Sequence, residues 1–329
     1  MGQWVEVEVR DSVVGYVQSM SKRAEILIKD LIKQIGIPKA KYHSWVKRYG
    51  KSNNHNGKIP KHNWLIPSEV NSIVEYAKSV YSNNDFFIKN GYRRLTYTMI
   101  DNNVVYASCS SVYRVLKRYN LLNKWNTAKS GKKGKGFNQP TAPHQHWHTD
   151  IKYVTVNGQT VFLISVIDGY SRYIVHNEVR VNMNKSDCEI VIQRAKEKYP
   201  NAKPRIITDN GSQYISKDFK IFITNMEMSH VRTSVNYPQA NGKIERFHRT
   251  ISEECLRLKY CDNIEQLRKS INYYVDYYNH KRLHSALNYL TPYDYLCNLN
   301  TEKLRIRDQK LHEAEINRTL YWSNHEKVA

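Results

Sequence analysis

The period of the hydrophobic residues changes along this chain, and the sharpest change falls at His146-Trp147-His148-Thr149-Asp150. Before it, apolar residues recur at helical spacing. From there to Thr208 they gather in Val- and Ile-rich runs that read as strands, with one helix, Ser186 to Tyr199, between them. Helical spacing returns after Gly242. A chain so patterned must join an α/β unit to helical portions, and its 329 residues leave room for two or three domains.

The helical half divides further. Residues 1–21 form an appendage, either β-like or an artefact of the assigned start. In residues 22–50, Ile26, Leu27, Leu31 and Ile35 precede the breaker Gly36-Ile37-Pro38, and a second helix carries Lys41, Trp45, Lys47 and Arg48. Helix, glycine turn and basic-aromatic helix outline a helix-turn-helix whose second helix would enter a major groove. A second such unit spans residues 64–122. It runs from Pro67-Ser68 through Val70, Ile73, Val74, Ala77 and Val80, then Gly91-Tyr92-Arg93-Arg94, and ends in a helix capped by Ser108 that carries Arg114 and Lys117. Residues 123–145 lose periodicity and collect five lysines with no acid, as a basic linker would.

Charge narrows the partner. Lys and Arg number 51 against 30 Asp and Glu, a formal +21, which points to a polyanion and foremost to nucleic acid. The five scattered cysteines include no Cys-x-x-Cys pair, so neither a disulfide framework nor a zinc knuckle is indicated. No run reaches the length of a membrane span and no secretory leader is evident. The expectation is a soluble cytoplasmic protein without a membrane partner.

Three acids stand out from this basic background. Asp150 ends a short extended run, Asp209 ends the strand Arg205-Ile206-Ile207-Thr208, and Glu245 lies on a helix whose buried stripe is Ile244, Phe247 and Ile251. On that helix Glu245 shares a face with His248 and Arg249. Two aspartates at strand ends and a glutamate on a facing helix could hold two divalent cations for in-line phosphoryl transfer, and hard oxygen donors suit Mg²⁺ or Mn²⁺. Asp168, in Asp168-Gly169-Tyr170-Ser171, reads as a turn residue.

Fifty-eight residues separate the aspartates and 35 separate Asp209 from Glu245. That spacing, with Thr-Asp-Asn-Gly at the second acid, Pro-Gln-Ala-Asn-Gly-Lys-Ile-Glu-Arg at the third, and the tail Tyr277-Tyr278-Asn279-x-x-Arg282-x-His284-x-Ala286-Leu287, resembles the integrase core of DDE transposases and retroviral integrases. The resemblance runs from about His146 to Leu296. It implies a ribonuclease H-like core at 146–258, a mixed five-stranded sheet with flanking helices, followed by a helical region at 259–329. It also implies 3′-end cleavage and strand transfer with two metal ions held by Asp150, Asp209 and Glu245. Asn210 and Gly211 would shape the loop at the second acid, and Asn241 and Gly242 the start of the third helix. Lys243, His248 and Arg249 would be candidates for DNA phosphate. Relatives carry Lys or Arg seven residues after the glutamate, where this chain has Ser252; Arg249 or Lys243 could substitute.

No His/His/Cys/Cys module precedes Asp150, which favours a bacterial insertion-sequence transposase of the type numbered three over a retroviral enzyme. Such an enzyme would act as a homo-oligomer on double-stranded DNA, its element's inverted repeats and a target, and would be nucleoid-associated when bound. A ribonuclease H-like nuclease would need neither the helical half nor the tail. A catalytically silent DNA-binding regulator would have lost an acid, and none is missing.

Overall fold

The computed structural model describes residues 5–51, 63–82, 91–122, 139–233, 241–258 and 260–325. The lysine-rich segment to residue 138 and the Tyr237-to-Ala240 part of the third motif lie outside them. The chain divides into two compact units, residues 1–64 with 319–329, and residues 65–318.

In the first unit, α1 (Val7–Ala24), α2 (Ile28–Gln34) and α3 (Lys39–Val46) enclose a small core of Val14, Val17, Leu31, Ile32, Tyr42 and Trp45. The expected β-like appendage is therefore a helix: Val14 and Val17, three apart, bury one stripe. Of the apolar residues assigned to the next helix, Leu31 is buried, but Ile26, Leu27 and Ile35 are exposed, and Ile32 takes their place inside. Gly36 adopts φ +75°, and Ile37 N–H then reaches Ile32 O at 2.9 Å, closing the end of α2 before Pro38 starts α3.

The second unit holds the α/β core. α4 (Pro67–Ser82), α5 (Tyr92–Asp101) and α6 (Cys109–Arg118) pack around Ile73, Leu95, Met99, Val112 and Leu116, and Ser108 caps α6 by accepting from Ser111 N–H at 3.2 Å. The sheet follows: β1 (His146–Val156), β2 (Gln159–Asp168), β3 (Ile174–Arg180), β4 (Arg205–Thr208) and β5 (Ser229–Arg232), in the order β3-β2-β1-β4-β5. β2 runs antiparallel to both its neighbours, and β1, β4 and β5 are parallel. This is the mixed five-stranded ribonuclease H-like sheet.

β1 runs six residues past Asp150, where the sequence reading had ended it. Asn157 (φ +44°) and Gly158 (φ +78°) form the tight hairpin turn to β2, and Asn-Gly is the pair that such a turn selects. The short β5 and the helices before it, α8 (Ser212–Ile215) and α9 (Lys217–Asn225), were not foreseen.

Each sheet face is covered. α7 (Lys185–Lys198) and α9 join Trp147, Ile164, Val166 and Ile206 on one side. On the other, α10 (Gly242–Ile251) and α11 (Ile264–His280) join Leu163, Ile167 and Val179, so this hydrophobic layer extends well past residue 258. After α12 (Pro292–Leu296), α13 (Asn300–His325) carries Arg307, whose guanidinium grips Asp101 at 2.8 and 2.6 Å.

The side chain of Asn279, buried on α11, spans β3 like another strand. It accepts from Ile174 N–H at 2.8 Å and donates to Ile174 O at 3.1 Å. Asn279→Ala leaves two buried backbone groups unpaired, at about 1–3 kcal/mol each. The expected result is a melting temperature about 5–10 °C lower by calorimetry; an unchanged transition would refute the clamp.

Candidate active site

Register places the two aspartates. Trp147 pairs with Ile206 and His148 with Ile207 on β4, so Asp150 and Asp209, two residues further on each strand, come level. Trp147 and Ile206 point into the α7 side, so alternation along β1 turns Asp150 to the α10 side, while Asp209 follows the last residue of β4. β4 ends at Thr208 while β1 continues, and Asp150 therefore lies beside the point where its neighbour leaves the sheet.

Glu245 lies one residue past the inward Ile244. Ile244, Phe247 and Ile251 are buried as the pattern required, which leaves Glu245 and Arg249 exposed. Asp150 and Glu245 line one open cavity of about 370 Å³ with Lys152, Arg249, Ser252 and Arg257 among its other walls. The Glu245 carboxyl is pushed above its ordinary value, first by burial and then by the negative Asp150. Repulsion of that sign is what a shared cation would relieve.

Asp209 does not line this cavity. Its Oδ1 accepts from Gly211 N–H at 3.0 Å, and a Cβ on Gly211 would stand 3.0 Å from the same oxygen and 2.8 Å from Gln213 Oε1, so a side chain there would displace the Gln213 amide and crowd Asp209. Asn210 secures the loop by donating to Thr233 O at 2.9 Å. Among the described residues, no group of three or more His, Cys, Asp or Glu side chains is close enough to hold a metal ion. Two of the three acids thus share a cavity, and the third follows the end of the adjoining strand, held by its own loop.

The other expected site residues divide between surface and interior. Lys47, Arg48, Arg93, Arg114 and Lys117 are exposed, while Lys41 is half-buried with its ammonium 5.1 Å from the Trp45 ring centre. Trp45 is a core residue, so its indole is not available to read a groove. Arg94 is half-buried, 3.9 Å from Glu254, with desolvation pulling its guanidinium below the ordinary range. Lys243 donates to Gly169 O at 2.7 Å, and burial and Arg172 bring its ammonium down to about 7. His248 is buried with Nδ1 3.3 Å from Asp150 Oδ2, which makes it a neighbour of the carboxylate and not a surface phosphate contact. Asn241 is buried at the head of α10, where its side chain makes no cap bond, and a Cβ on Gly242 would meet nothing within 4 Å. Asp168 is the turn residue expected, accepting from Tyr170 N–H, Ser171 N–H and Ser171 Oγ. Sequence reasoning missed Lys152 and Arg257; for Lys152 the signal was present, two residues beyond Asp150 on the same strand face.

A mixed sheet in the order β3-β2-β1-β4-β5, with carboxylates beside adjacent strands and on the facing helix, makes a ribonuclease H-like core. Comparisons with known proteins match the same stretch of the chain. Residues 140–238 match the family described as integrase core domain, and residues 226–292 match a second family of that description. A transposase for insertion sequence element IS904 of Lactococcus lactis is 28% identical over 159 residues, 47% of this chain and 62% of that protein. The uncharacterized IS136 protein Atu4601 of Agrobacterium fabrum is 26% identical over 184 residues, 54% of this chain and 94% of that protein. The HTLV-2 integrase catalytic core domain, solved in complex with magnesium, is similar at 21% identity and a TM-score of 0.39, covering 47% of this chain and 98% of that one. Over residues 140–292 the chain is thus similar to the integrase core domain and to insertion-sequence transposases that match it there. It spans 55% and 62% of the length of the IS150 and IS904 relatives.

His148, on the same strand face as Asp150, gives a pH prediction. Burial, then the positive Lys243 and Arg172, lower its imidazole to about 3 from 6.5. Its contribution to stability is full above pH 6.5 and is lost as pH falls towards 3, because the unfolded chain takes up the proton first. Urea unfolding at pH 7 and pH 5 should show His148→Gln losing about 2 kcal/mol less than wild type over that interval. Equal losses would mean His148 does not stay neutral in the fold.

Proposed function

We propose that this protein is a DNA transposase that binds the ends of its mobile element, cleaves there to free a 3′-hydroxyl, and joins that hydroxyl to a second phosphodiester. The observation that carries this reading is the convergence of Asp150 and Glu245 on one cavity beside the strand that presents Asp209. The donors are hard carboxylate oxygens and their charges repel, so the set fits Mg²⁺ or Mn²⁺, two ions in the full arrangement. Bound there, the ions would activate the attacking oxygen and neutralise the leaving one. The protein's own residues hold those positions. β1 pairs Asp150 with Ser165 of β2, α10 carries Glu245 to the same cavity, and Gly211 N–H bonds Asp209 just past β4.

The two helical units, residues 22–50 and 64–122, would bind the element's ends through their exposed cations Lys47, Arg48, Arg93, Arg114 and Lys117. We further propose that the chain acts as a homo-oligomer, since two ends must be held together for joining. No helix among the described residues is long and apolar enough to cross a membrane.

Glu245→Gln keeps the shape of α10 and removes one charge. In the presence of Mg²⁺, joining of duplexes carrying the sequences that flank this reading frame should fall about a thousandfold or more, a loss of at least ~4 kcal/mol of transition-state stabilisation. DNA binding by fluorescence anisotropy should be retained. Undiminished joining by this variant would remove Glu245 from the mechanism, and no joining or cleavage by the wild type would overturn the transposase reading.

A further inference from the structure

The residue seven positions beyond Glu245 is Ser252, whose hydroxyl turns inward and donates to His248 O at 2.7 Å. Its position on the Glu245 face therefore offers no cation. The helix changes character at that same residue: residues 252–256 form a π turn, closed by Arg257 N–H on Ser252 O at 3.0 Å. A continued α-helix would bring Leu256, eleven residues after Glu245, back to the Glu245 face. The wider turn absorbs one extra residue. The face then belongs to Arg257, which lines the cavity, while Leu256 packs against the hydrophobic layer under the sheet.

Lys152 approaches the same cavity from the strand. Alternation along β1 sets it beside Asp150, on the α10 side. Neither Lys152 nor Arg257 forms an ion pair with an acid among the described residues, unlike Arg282, Arg307 and Arg318, which are all engaged. Asp150, Glu245 and Glu253 on the cavity wall are balanced by Lys152, Arg249 and Arg257. Cations bound at the carboxylates would tip that balance to positive and leave the long side chains free to take a phosphate.

We propose that Lys152 and Arg257 form the phosphate-binding pair of this active site, in place of a basic residue at Ser252, with the π turn serving to deliver Arg257. The pair grips the DNA backbone next to the phosphodiester under attack. It is a positioning device, and it rests on the transposase reading given above.

The test uses the full chain, the flanking-sequence duplexes and Mg²⁺, with cleavage followed over a range of KCl. Each lost phosphate contact lowers the slope of log affinity against log salt by about 0.9. K152A/R257A should raise KM by at least about tenfold near 150 mM salt and reduce the slope of log KM by nearly two such contacts, with a smaller effect on kcat. Adding Ser252→Lys to that double variant should restore about one contact's worth of slope, which a repair of folding would not do. An unchanged slope in K152A/R257A, with wild-type cleavage intact, overturns the pair alone. A slope lost but not regained with Ser252→Lys overturns the claim that Arg257 and Lys152 replace a cation at that position. Absence of cleavage by the wild type overturns the transposase reading and this inference with it.

Discussion

Much of the second unit hangs on one buried ion pair. Arg282, just past the end of α11, meets Glu254 in the π turn with two parallel bonds, Nε to Oε2 at 2.7 Å and Nη2 to Oε1 at 2.5 Å. Tyr274 on α11 adds its hydroxyl to the same carboxylate at 2.9 Å, and Arg94 on α5 stands 3.9 Å away. Burial alone would raise the Glu254 carboxyl, but Arg282 holds it below the ordinary range. An isolated buried charge costs several kcal/mol, and breaking such a pair typically costs about 3–5 kcal/mol. The pair therefore specifies more than it stabilises: only one packing of α5, the π turn and α11 keeps every one of these charges matched.

That requirement explains the tail motif in physical terms. Tyr278 packs edge-on against Phe247 of α10 and against His284, Asn279 pins β3, and Arg282 locks the π turn. No residue of the motif lines the cavity shared by Asp150 and Glu245. Its members hold α10 and the turn after it, and so fix the direction in which Glu245 and Arg257 leave the scaffold. A motif that looks functional from its polar and aromatic content is here a frame for function.

The parts of this arrangement that could be read in the sequence were those set by local periodicity. The stripe Ile244, Phe247 and Ile251 fixed the face of Glu245, the Val-Ile runs gave β2 and β3, and Ser108 announced α6. What could not be read depended on partners distant in sequence. Nothing local distinguishes the solvent-exposed Arg93 from the half-buried Arg94, whose acidic neighbour Glu254 lies 160 residues later. Trp45 and Leu31 show the same limit, since their common core needs α1, which a weak amphipathic pattern concealed. The end of β1 is another matter: Asn157-Gly158 was a legible turn signal, and it was overlooked beside the more conspicuous Asp150.

Two scales of charge meet at the cavity. The chain as a whole carries +21, enough to draw a polyanion from any direction and indifferent to its sequence. At the cavity itself three acids and three cations cancel, so the whole-chain field supplies no preference for a phosphate there. Under the proposed function such a site would discriminate through occupancy: carboxylates filled by cations would favour a phosphate, and empty carboxylates would oppose it. On the proposed function, the excess of lysine and arginine elsewhere would bring DNA to the protein, and the balanced cavity would engage it only once cations had bound at the carboxylates. Placing Arg257 by a π turn, instead of a fixed lysine one helical repeat closer, puts that balance on a long side chain at the rim, where it can serve phosphate without neutralising Glu245 beforehand.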